Sequence, residues 1–555
     1  MPNMTLRYIE AQAAILCILF VAAYILQFLA APFLTIEKFF ARFAQQRGWA
    51  VFSLAISSIV LRVILLPWNP VPAPEVHDEF SYLLAGDTFA HGRLTNPPHA
   101  MWLYLDTFHV NQHPTYSSIF PPAQGAMLAI GQLLGHPWIG VLLSVSLMCA
   151  AVLWALQGWL PPSWALFGGV LMLLRLATSS YWVNSYWGGA VAAVGGALVI
   201  GALPRLIHFH RTRDALILGL GTAILANSRP FEGLVFCIPV AIALIAWLCG
   251  RRSAAWRETL PRLVLPLCLV MALCGLFMGY YNWRLTGNPL LFPHVLNIRT
   301  HCAVPQFAWQ KTVAPFHFQI PEFESYYNFW WPSLAWPMGR PDTLRNIASA
   351  AANYAWVFVR FFIWPDLFLA VIVLPWILCD RRMRILLVQF ALCFAAFLLV
   401  AWFQPHYAAP LTATTFILIT QGFRHIRQRR FGSFPVGAGL VRAVALLALL
   451  FAPFHHYYVQ LFPAMDARLS IASQIAAVPG NSLVLVRYSP SHNPLDEWVY
   501  DRAEVDRSKI VWAREIPNVS TQPLLDYFPG RNLWLVEPDE QPPKLFRVTR
   551  APAQQ

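Results

Sequence analysis

Long apolar runs separated by short basic segments constrain this chain more than any other feature of its sequence. Hydrophobic residues make up 57% of the 555 residues, and charged residues make up only 12%. Soluble domains carry about 25% charged residues. Because charge is costly in hydrocarbon, the shortage of charge indicates that most of the chain lies in a membrane. The sequence therefore predicts a polytopic α-helical membrane protein.

The apolar runs predict about 12 transmembrane helices, since a helix needs about 20 apolar residues to cross a bilayer. We place them near 10–33, 50–67, 138–158, 163–179, 187–204, 214–227, 231–250, 263–281, 364–379, 385–402, 408–422 and 437–460. The first run has no small-residue cleavage site after a short apolar core, so it is predicted to be a retained helix.

The net charge of +13 comes largely from basic residues in loops between these helices. With the predicted helices, the basic clusters near 38–47, 205–213, 251–262, 381–384 and 424–430 all fall on one side. This is the positive-inside pattern, which indicates the cytoplasmic side and argues against a nucleic-acid partner. The predicted location is a bacterial inner membrane, with loops 68–137 and 282–363 on the periplasmic side.

Three regions follow from this arrangement. Residues 1–48 hold an extra N-terminal helix and a cytoplasmic loop, residues 49–462 form the main transmembrane domain, and residues 463–555 form a small periplasmic domain. In that tail, 482–488, 509–513 and 532–536 read as buried strands, with a helix over 521–528, which is typical of a small α/β domain. The apolar but short stretch 119–134 is predicted to be an interfacial or re-entrant helix.

Two adjacent carboxylates, Asp78 and Glu79, lie about ten residues beyond the second predicted span. A carboxylate at a partly dehydrated interface can act as a general base with a raised pKa. On charge alone, a solvated acidic loop is the better explanation of the pair, so the surrounding residues have to decide between the two interpretations.

Four short motifs surround or follow this pair in the order 75–92, 116–125, 282–289 and 404–410. The first has Asp-Glu, then a Tyr three residues after the Glu, then a Gly ten residues later. The second is Tyr-Ser-Ser-Ile-Phe-Pro-Pro-Ala-Gln-Gly, the third Asn-Trp-Arg-Leu-Thr-Gly-Asn-Pro, and the fourth Gln-Pro-His-Tyr-Ala-Ala-Pro. Together they resemble the GT-C glycosyltransferases, a superfamily that includes protein O-mannosyltransferases and lipid A aminoarabinose transferases. The resemblance spans residues 50–425.

That resemblance implies an inverting glycosyltransferase that moves a sugar from a polyprenyl-phosphate donor to a periplasmic glycan, lipid or protein acceptor. Asp78 is then the expected general base for the acceptor hydroxyl, and Glu79 is expected to orient the acceptor or share that role. The leaving polyprenyl phosphate requires neither a nucleotide site nor a cofactor. The expected partners are the lipid-linked sugar, the bilayer and an acceptor that the sequence does not identify.

The leaving phosphate needs cationic or hydrogen-bonding groups on the same side of the membrane. Arg229 is the first candidate, because it lies in a polar break between two apolar runs. An ion pair between Arg229 and Glu232 is an equally simple explanation for its position. His406 and Tyr407 are further candidates, from the fourth motif.

Other polar and aromatic residues of the external loops are candidate substrate contacts: Tyr82, His113, Tyr116, Asn184, Tyr186 and Glu232. Four histidines of the first loop, His91, His99, His109 and His113, have no compact ligand spacing, so we predict no metal site. Glu322 and Glu324 form an alternative acidic pair.

Two other functions remain open at this point. A transporter or flippase of lipid-linked sugars would carry charges within its helices and show repeat symmetry, and the sequence shows neither. A polymerase or ligase of lipid-linked glycans would share the helical plan without needing an acidic pair at the start of the first external loop.

Overall fold

The computed structural model describes residues 2–28, 30–250, 260–432, 435–452 and 464–549. A helical transmembrane part is followed by a small sheet domain near the C-terminus. The helices of the first part are α1 (Pro2–Phe28), α2 (Ala30–Gln45), α3 (Arg47–Ile64), α4 (His77–Ala90), α5 (Trp102–Leu105), α6 (Pro122–Leu133), α7 (Pro137–Trp159), α8 (Pro162–Leu176), α9 (Gly189–Phe209), α10 (Thr212–Ala226), α11 (Pro230–Cys249), α12 (Leu265–Thr286), α13 (Pro293–His301), α14 (Pro321–Glu324), α15 (Trp331–Leu334), α16 (Leu344–Phe362), α17 (Leu369–Ile372), α18 (Leu374–Cys379), α19 (Arg384–Phe397), α20 (Thr412–Arg427) and α21 (Val436–Phe451).

Five helices in the described part of the chain are long and apolar enough to cross a membrane, which makes this a multi-pass membrane protein. They are Arg47–Ile64, Pro137–Trp159, Gly189–Phe209, Pro230–Cys249 and Pro261–Thr286. A sixth is added if the bent pair Gln12–Leu26 and Ala31–Gln45 counts as one span. The predicted count of about 12 is therefore not confirmed, and the side that each loop faces stays a prediction.

The remaining predicted spans contain helix, but they are not among the five: α8, α10, α19 and α20 have only 15, 15, 14 and 16 residues, and other predicted spans are divided. The predicted helix 10–33 is divided, with a bend of 98° between its two parts. Pro32 explains the break, since its ring clashes with the carbonyl four residues earlier, at Phe28, and it has no N–H to bond that carbonyl. The predicted helix 364–379 is likewise reduced to α17 and α18, with Pro365 before them and Pro375 within. The last part of the predicted helix 437–460 lies outside the described residues.

Helix α16 was not predicted, because it lies in the middle of the expected external loop 282–363. Its buried residues, which include Ala350, Tyr354 and Phe358, recur every four positions, so only one stripe of the helix packs inward. The polar residues of the other face lower its mean hydropathy and hide it from a search for continuous apolar runs.

The expected short helix in 119–134 is confirmed as α6. It packs between α4 and α7. Its contact with α4 requires glycine, because a Cβ at Gly125 would come within 2.7 Å of the Cβ of Ala85, and a Cβ at Gly86 within 2.8 Å of that of Leu128. This close approach fixes α4, the helix that carries the acidic pair, against the transmembrane part.

Two short strands of the first loop, β1 (Val110–Asn111) and β2 (Ser117–Ser118), pair with each other in a separate antiparallel ladder. The C-terminal domain contains α22 (Ala464–Ala477), β3 (Ser482–Val486), β4 (Ile510–Arg514), α23 (Gln522–Tyr527), β5 (Asn532–Glu537) and β6 (Lys544–Arg547). The sheet order is β4-β3-β5-β6, with the first three strands parallel and β6 antiparallel at the edge. The three predicted strands and the predicted helix are thus confirmed, and β6 is an addition.

This domain is joined to the transmembrane part by buried polar contacts. Arg514 of β4 is fully buried and forms ion pairs with Glu497 and with Glu322, the latter at 3.0 Å. Glu324 accepts hydrogen bonds from the N–H of Phe318 and from Asn328. The alternative acidic pair is therefore engaged in structural contacts, and one of its members joins the two parts of the protein.

Replacement of Arg514 tests how strongly these contacts hold the domain. Arg514→Leu leaves two buried carboxylates without their cation, and we expect a loss of about 3 to 5 kcal/mol in the free energy of unfolding. Denaturant unfolding of the purified full chain in detergent measures it. The matched control is Arg507→Leu, whose side chain is 82% exposed, and it is expected to change stability little. Equal losses in the two variants would contradict a stabilising role for the buried contacts.

Candidate active site

Helix α4 begins at His77, and the side chain of Glu79 in its first turn caps the N-terminal end of the helix. The Glu79 carboxylate accepts hydrogen bonds from the backbone N–H of Glu75 at 2.7 Å and of Val76 at 3.2 Å. Acidic residues in a first turn also interact favourably with the helix dipole. The Asp-Glu pair is thus at once a candidate for chemistry and the signal that starts the helix.

Glu79 is buried and also holds a second segment. Its other carboxylate oxygen accepts the N–H of Tyr186, 107 residues away, at 2.8 Å, and the Tyr186 hydroxyl donates to the carbonyl of Pro72 at 3.0 Å. Burial raises the pKa of Glu79 to about 7, against the opposing effect of the N–H donors. Both carboxylate oxygens of Glu79 accept backbone hydrogen bonds. Glu79 is therefore not arranged to contact an acceptor in the way that the sequence led us to expect.

Asp78 faces away from these contacts and forms a pair with His109. Its Oδ1 lies 2.5 Å from His109 Nδ1, and its side chain is 24% exposed. Within the described residues no hydrogen bond is made by Oδ2. One carboxylate oxygen of Asp78 is therefore hydrogen-bonded to His109, and the other has no hydrogen-bond partner among the described residues.

The backbone around His109 is built to hold this pair. His109 has φ = 58°, a left-handed conformation that costs most residues about 1 kcal/mol or more. Its carbonyl accepts a hydrogen bond from Ser81 Oγ at 2.6 Å, and Ser81 lies one turn after Asp78 on the same helix. On the other side of the ring, His109 Nε2 lies 3.3 Å from the Tyr326 hydroxyl.

The electrostatic environment keeps Asp78 ionised. Burial by itself raises the pKa of Asp78, but the neighbouring His109 and the charge of Arg229 outweigh it. The pKa of Asp78 therefore lies below its ordinary value of 3.8, in contrast to that of Glu79. The surroundings thus shift the pKa values of these two adjacent carboxyl groups in opposite directions.

Arg229 lies at the N-terminal end of α11, and its guanidinium stacks over the Tyr407 ring at 4.7 Å. Among the residues that the structure describes it makes no ion pair at contact distance, and Glu232, one turn away, interacts with it only at longer electrostatic range. The simple pairing considered from the sequence is therefore not present. We call Asp78, Tyr82, His109, Arg229 and Tyr407 the Asp78–Arg229 site, since Tyr82 and Tyr407 lie within the electrostatic range of both charges.

His406 is placed beside this site as a neutral, buried group. Its Nδ1 lies 2.9 Å from the Tyr181 hydroxyl, and its ring meets that of Trp187 edge to face at 4.8 Å. Burial lowers the pKa of His406 well below the ordinary histidine value. It can therefore hydrogen-bond a ligand or position Tyr407, but it supplies no positive charge.

The other candidate residues are distributed over several places. Tyr116 donates its hydroxyl to the carbonyl of Asp501 in the C-terminal domain at 3.1 Å. Asn184 donates to the Ser180 carbonyl at 3.0 Å, while its Oδ1 is buried without a partner in the described chain. His113 is exposed and contacts Trp102. These three residues are not part of the Asp78–Arg229 site.

The four histidines of the first loop each have a separate neighbour. His91 lies beside Asp87 and Glu504, and His99 contacts Asp506 at 3.0 Å. His109 is paired with Asp78, as described above. The first-loop histidines thus serve contacts in different places, two of them to the C-terminal domain.

Three residues near the site were not assigned from the sequence. His77 is buried, stacks on Phe108 at 4.6 Å, and its Nε2 lies 2.8 Å from the carbonyl of Pro494. Burial lowers the pKa of His77 to about 3 and that of His294 to about 4, so both are neutral. Tyr326 comes from the long loop after α12. No local pattern marks these residues, because their partners are distant in sequence.

No family model and no curated protein matches this sequence. Several solved structures do match this chain. ArnT from Cupriavidus metallidurans bound to undecaprenyl phosphate is 13% identical, with a TM-score of 0.47 over 88% of this chain and 93% of that one. The Archaeoglobus fulgidus oligosaccharyltransferase with Zn and sulfate is 13% identical, with a TM-score of 0.48 over 88% and 67%.

The apo form of that oligosaccharyltransferase gives a TM-score of 0.43, and the match covers 63% of its length. ArnT and the oligosaccharyltransferase are members of the GT-C superfamily, whose motifs this sequence resembles. Because the identities and TM-scores are low, the function below is inferred from this chain's own residues.

The separate surroundings of the two carboxylates lead to a prediction about stability. Glu79→Ala leaves three N–H groups without their acceptor, two part-buried and one, that of Tyr186, buried, and an unsatisfied buried donor costs about 1 to 3 kcal/mol. We therefore expect a clear fall in the thermal midpoint of the purified protein. Asp78→Asn, which loses no backbone contact, is the control and should unfold near the wild-type temperature. A larger fall in Asp78→Asn would contradict the assigned difference.

Proposed function

We propose that this protein is an inverting glycosyltransferase that uses a polyprenyl-phosphate-linked sugar as its donor. One observation carries the proposal. A partly exposed, ionised carboxylate, Asp78, lies within electrostatic range of an arginine, Arg229, that has no ion pair within the described chain. These are the two charges that a single displacement at an anomeric carbon requires, one for the proton and one for the departing phosphate.

The proposed reaction is one displacement. The acceptor oxygen forms a bond to the anomeric carbon while the bond between that carbon and the donor phosphate oxygen breaks. The proton of the acceptor hydroxyl passes to Asp78 Oδ2, and the electron pair of the broken bond leaves with the polyprenyl phosphate. The configuration at the anomeric carbon is inverted, because attack and departure occur on opposite faces.

The position of Arg229 suits a lipid phosphate. It caps the candidate span Pro230–Cys249, so it lies at a membrane boundary, where the phosphate of a lipid resides. The N-terminal end of that helix also favours an anion. Stacking on Tyr407 holds the guanidinium in one plane, which suits hydrogen bonds to phosphate oxygens. Tyr407 and the neutral His406 are proposed to complete the donor-phosphate site.

His109 is proposed to assist Asp78. The short contact from His109 Nδ1 holds Oδ1 of Asp78, so Oδ2 is left to accept the proton of the acceptor hydroxyl. His109 also keeps the carboxylate in the ionised form that a general base requires. Tyr326 then orients the ring from its other nitrogen.

We assign the remaining candidates smaller roles. Glu79 positions Asp78 by fixing the first turn of α4, and Tyr186 is fixed by the same contact. Tyr82, which stacks on Phe120 at 4.3 Å, and Glu232 border the site and are proposed contacts for the donor sugar.

The finer assignments rest on the sequence pattern together with this site. The loops that carry the basic clusters are proposed to face the cytoplasm, which places the Asp78–Arg229 site and the C-terminal domain in the periplasm of a bacterial inner membrane. The acceptor is proposed to be a hydroxyl-bearing glycan, lipid or protein that approaches from that side.

A panel of polyprenyl-phosphate sugars tests the function directly. We expect purified wild-type protein to consume at least one donor, and Asp78→Asn to lower its kcat by about 100- to 10,000-fold, the usual contribution of a general base. Transfer or hydrolysis is followed by chromatography of the released lipid phosphate. Retained full activity in Asp78→Asn, or no consumption of any donor, would refute the proposal.

Arg229 gives a second test of the same site. Arg229→Gln removes the charge that stabilises the leaving phosphate, and we expect kcat/KM to fall by about 100-fold or more. Arg229→Lys keeps the charge but loses the planar contact, so a partial recovery is expected. Arg284→Gln, at an exposed arginine bonded only to the Tyr280 hydroxyl in the described structure, is the control and should behave as wild type. Equal effects at Arg229 and Arg284 would contradict the assignment.

A further inference from the structure

A cavity lies on the opposite side of α4 from Asp78. Asp78 and Tyr82 share one face of this helix, while Phe80, Leu84 and Asp87 are turned about half a revolution from them. These three residues line a cavity of about 790 Å³. Its volume is within the range of small-molecule sites, and it is separate from the Asp78–Arg229 site.

Two parts of the protein build this cavity together. The transmembrane part supplies α4 and the turn between α6 and α7, around Gly135. The C-terminal domain supplies α22 and the start of β4, with Arg468 and Trp512. Ligand sites occur preferentially at such boundaries between domains. Nothing in the proposed glycosyl transfer uses these residues.

The acidic side chains of the cavity are already engaged. Asp87 accepts hydrogen bonds from Gln132 at 2.6 Å and from the N–H of Ala503 at 2.8 Å. Asp501 accepts the N–H of Trp512 at 3.0 Å with Oδ1, while its Oδ2 is buried without a hydrogen-bond partner in the described chain. Burial raises the pKa of Asp501 to about 7, and its charge acts on Arg468. Asp87 therefore has no oxygen left for a cation, and Asp501 is a charge partner of Arg468.

The basic side chains retain more binding capacity. Arg502 is exposed at the rim and makes no hydrogen bond or ion pair with any residue that the structure describes. Lys509 donates to the carbonyl of Ala476 at 2.6 Å and has two further donors. Arg468 is held against Trp512, with its Cζ 4.6 Å from the ring, and it donates to the carbonyls of Trp498 at 3.0 Å and Tyr500 at 3.2 Å, so only Nη1 makes no hydrogen bond in the described chain. The hydrogen-bond donors left for a ligand therefore lie mainly on Arg502 and Lys509, and both side chains are positively charged.

An apolar surface continues from the same turn. Ile130, Leu133 and Leu134 are 45%, 71% and 60% exposed, and the cavity-lining Gln132 and Gly135 lie among them in sequence. In a multi-pass membrane protein such a surface faces acyl chains. A phosphate in the cavity and hydrocarbon along this surface together match one kind of molecule.

We propose that this cavity binds the phosphate-bearing headgroup of an anionic membrane lipid. The headgroup phosphate contacts Arg502, Lys509 and Arg468, and the acyl chains lie along Ile130, Leu133 and Leu134. Because the transmembrane part and the C-terminal domain both line the cavity, a bound lipid holds them together. The site does not depend on the reaction at Asp78.

Thermal unfolding of the full chain in a neutral detergent tests the proposal. Phosphatidylglycerol is expected to raise the unfolding midpoint in a saturable way, while phosphatidylcholine with the same acyl chains is not. Arg502→Glu should weaken the apparent affinity for phosphatidylglycerol at least about fivefold, the usual contribution of one basic residue near an anionic lipid surface. Because Arg502 is exposed and unpaired in the described structure, the midpoint without lipid should stay unchanged.

The matched control is Arg507→Glu, at an exposed arginine of the same segment that does not line the cavity. It should keep the wild-type response to phosphatidylglycerol. The proposal is overturned if phosphatidylcholine stabilises equally, if Arg502→Glu responds as wild type, or if Arg507→Glu loses as much. Saturable stabilisation by inorganic phosphate alone would instead identify a soluble phosphoryl ligand and refute the lipid. Donor turnover is measured separately, so failure here leaves the Asp78 assignment unaffected.

Discussion

The candidate active site depends on the hydrogen bonds that the Glu79 carboxylate accepts from two separate segments of the chain. This carboxylate accepts N–H groups from the start of α4 and from the loop before α9, and so fixes two segments that a flexible loop would leave independent. With α4 held in this way and packed through Gly86 and Gly125 on α6, Asp78 projects in one direction only. The chemistry proposed for Asp78 therefore depends on a neighbour that has no free oxygen of its own.

The C-terminal domain belongs to the same unit. Its buried Arg514 reaches Glu322 of the long loop after α12, and that loop also supplies Tyr326, which contacts His109. The carbonyl of Pro494 meets His77, the residue just before Asp78. The domain that the sequence presents as a separate tail thus supports the wall of the candidate active site, and it also completes the cavity on the other side of α4.

Much of the fold could be predicted, for identifiable reasons. Strands β3, β4 and β5 are short, buried and rich in branched residues, so their local pattern is unambiguous. The helix count was harder, because α8, α10 and α19 contain only 15, 15 and 14 residues, and α16 has an apolar stripe rather than an apolar run. Hydropathy measures composition along the chain, and it does not report where proline ends a helix or which face is covered.

The sequence by itself determined that this is a membrane chain, that an acidic pair follows its early helices, and that an arginine interrupts two apolar runs. Those features depend on residue type and local order alone. The tertiary structure decided which carboxylate is free. Asp78 meets His109 over 31 residues, Glu79 meets Tyr186 over 107, and Arg514 meets Glu322 over 192. Hydrogen bonds and burial between such distant residues exist only once the chain has packed, and they set the charge and the role of each group.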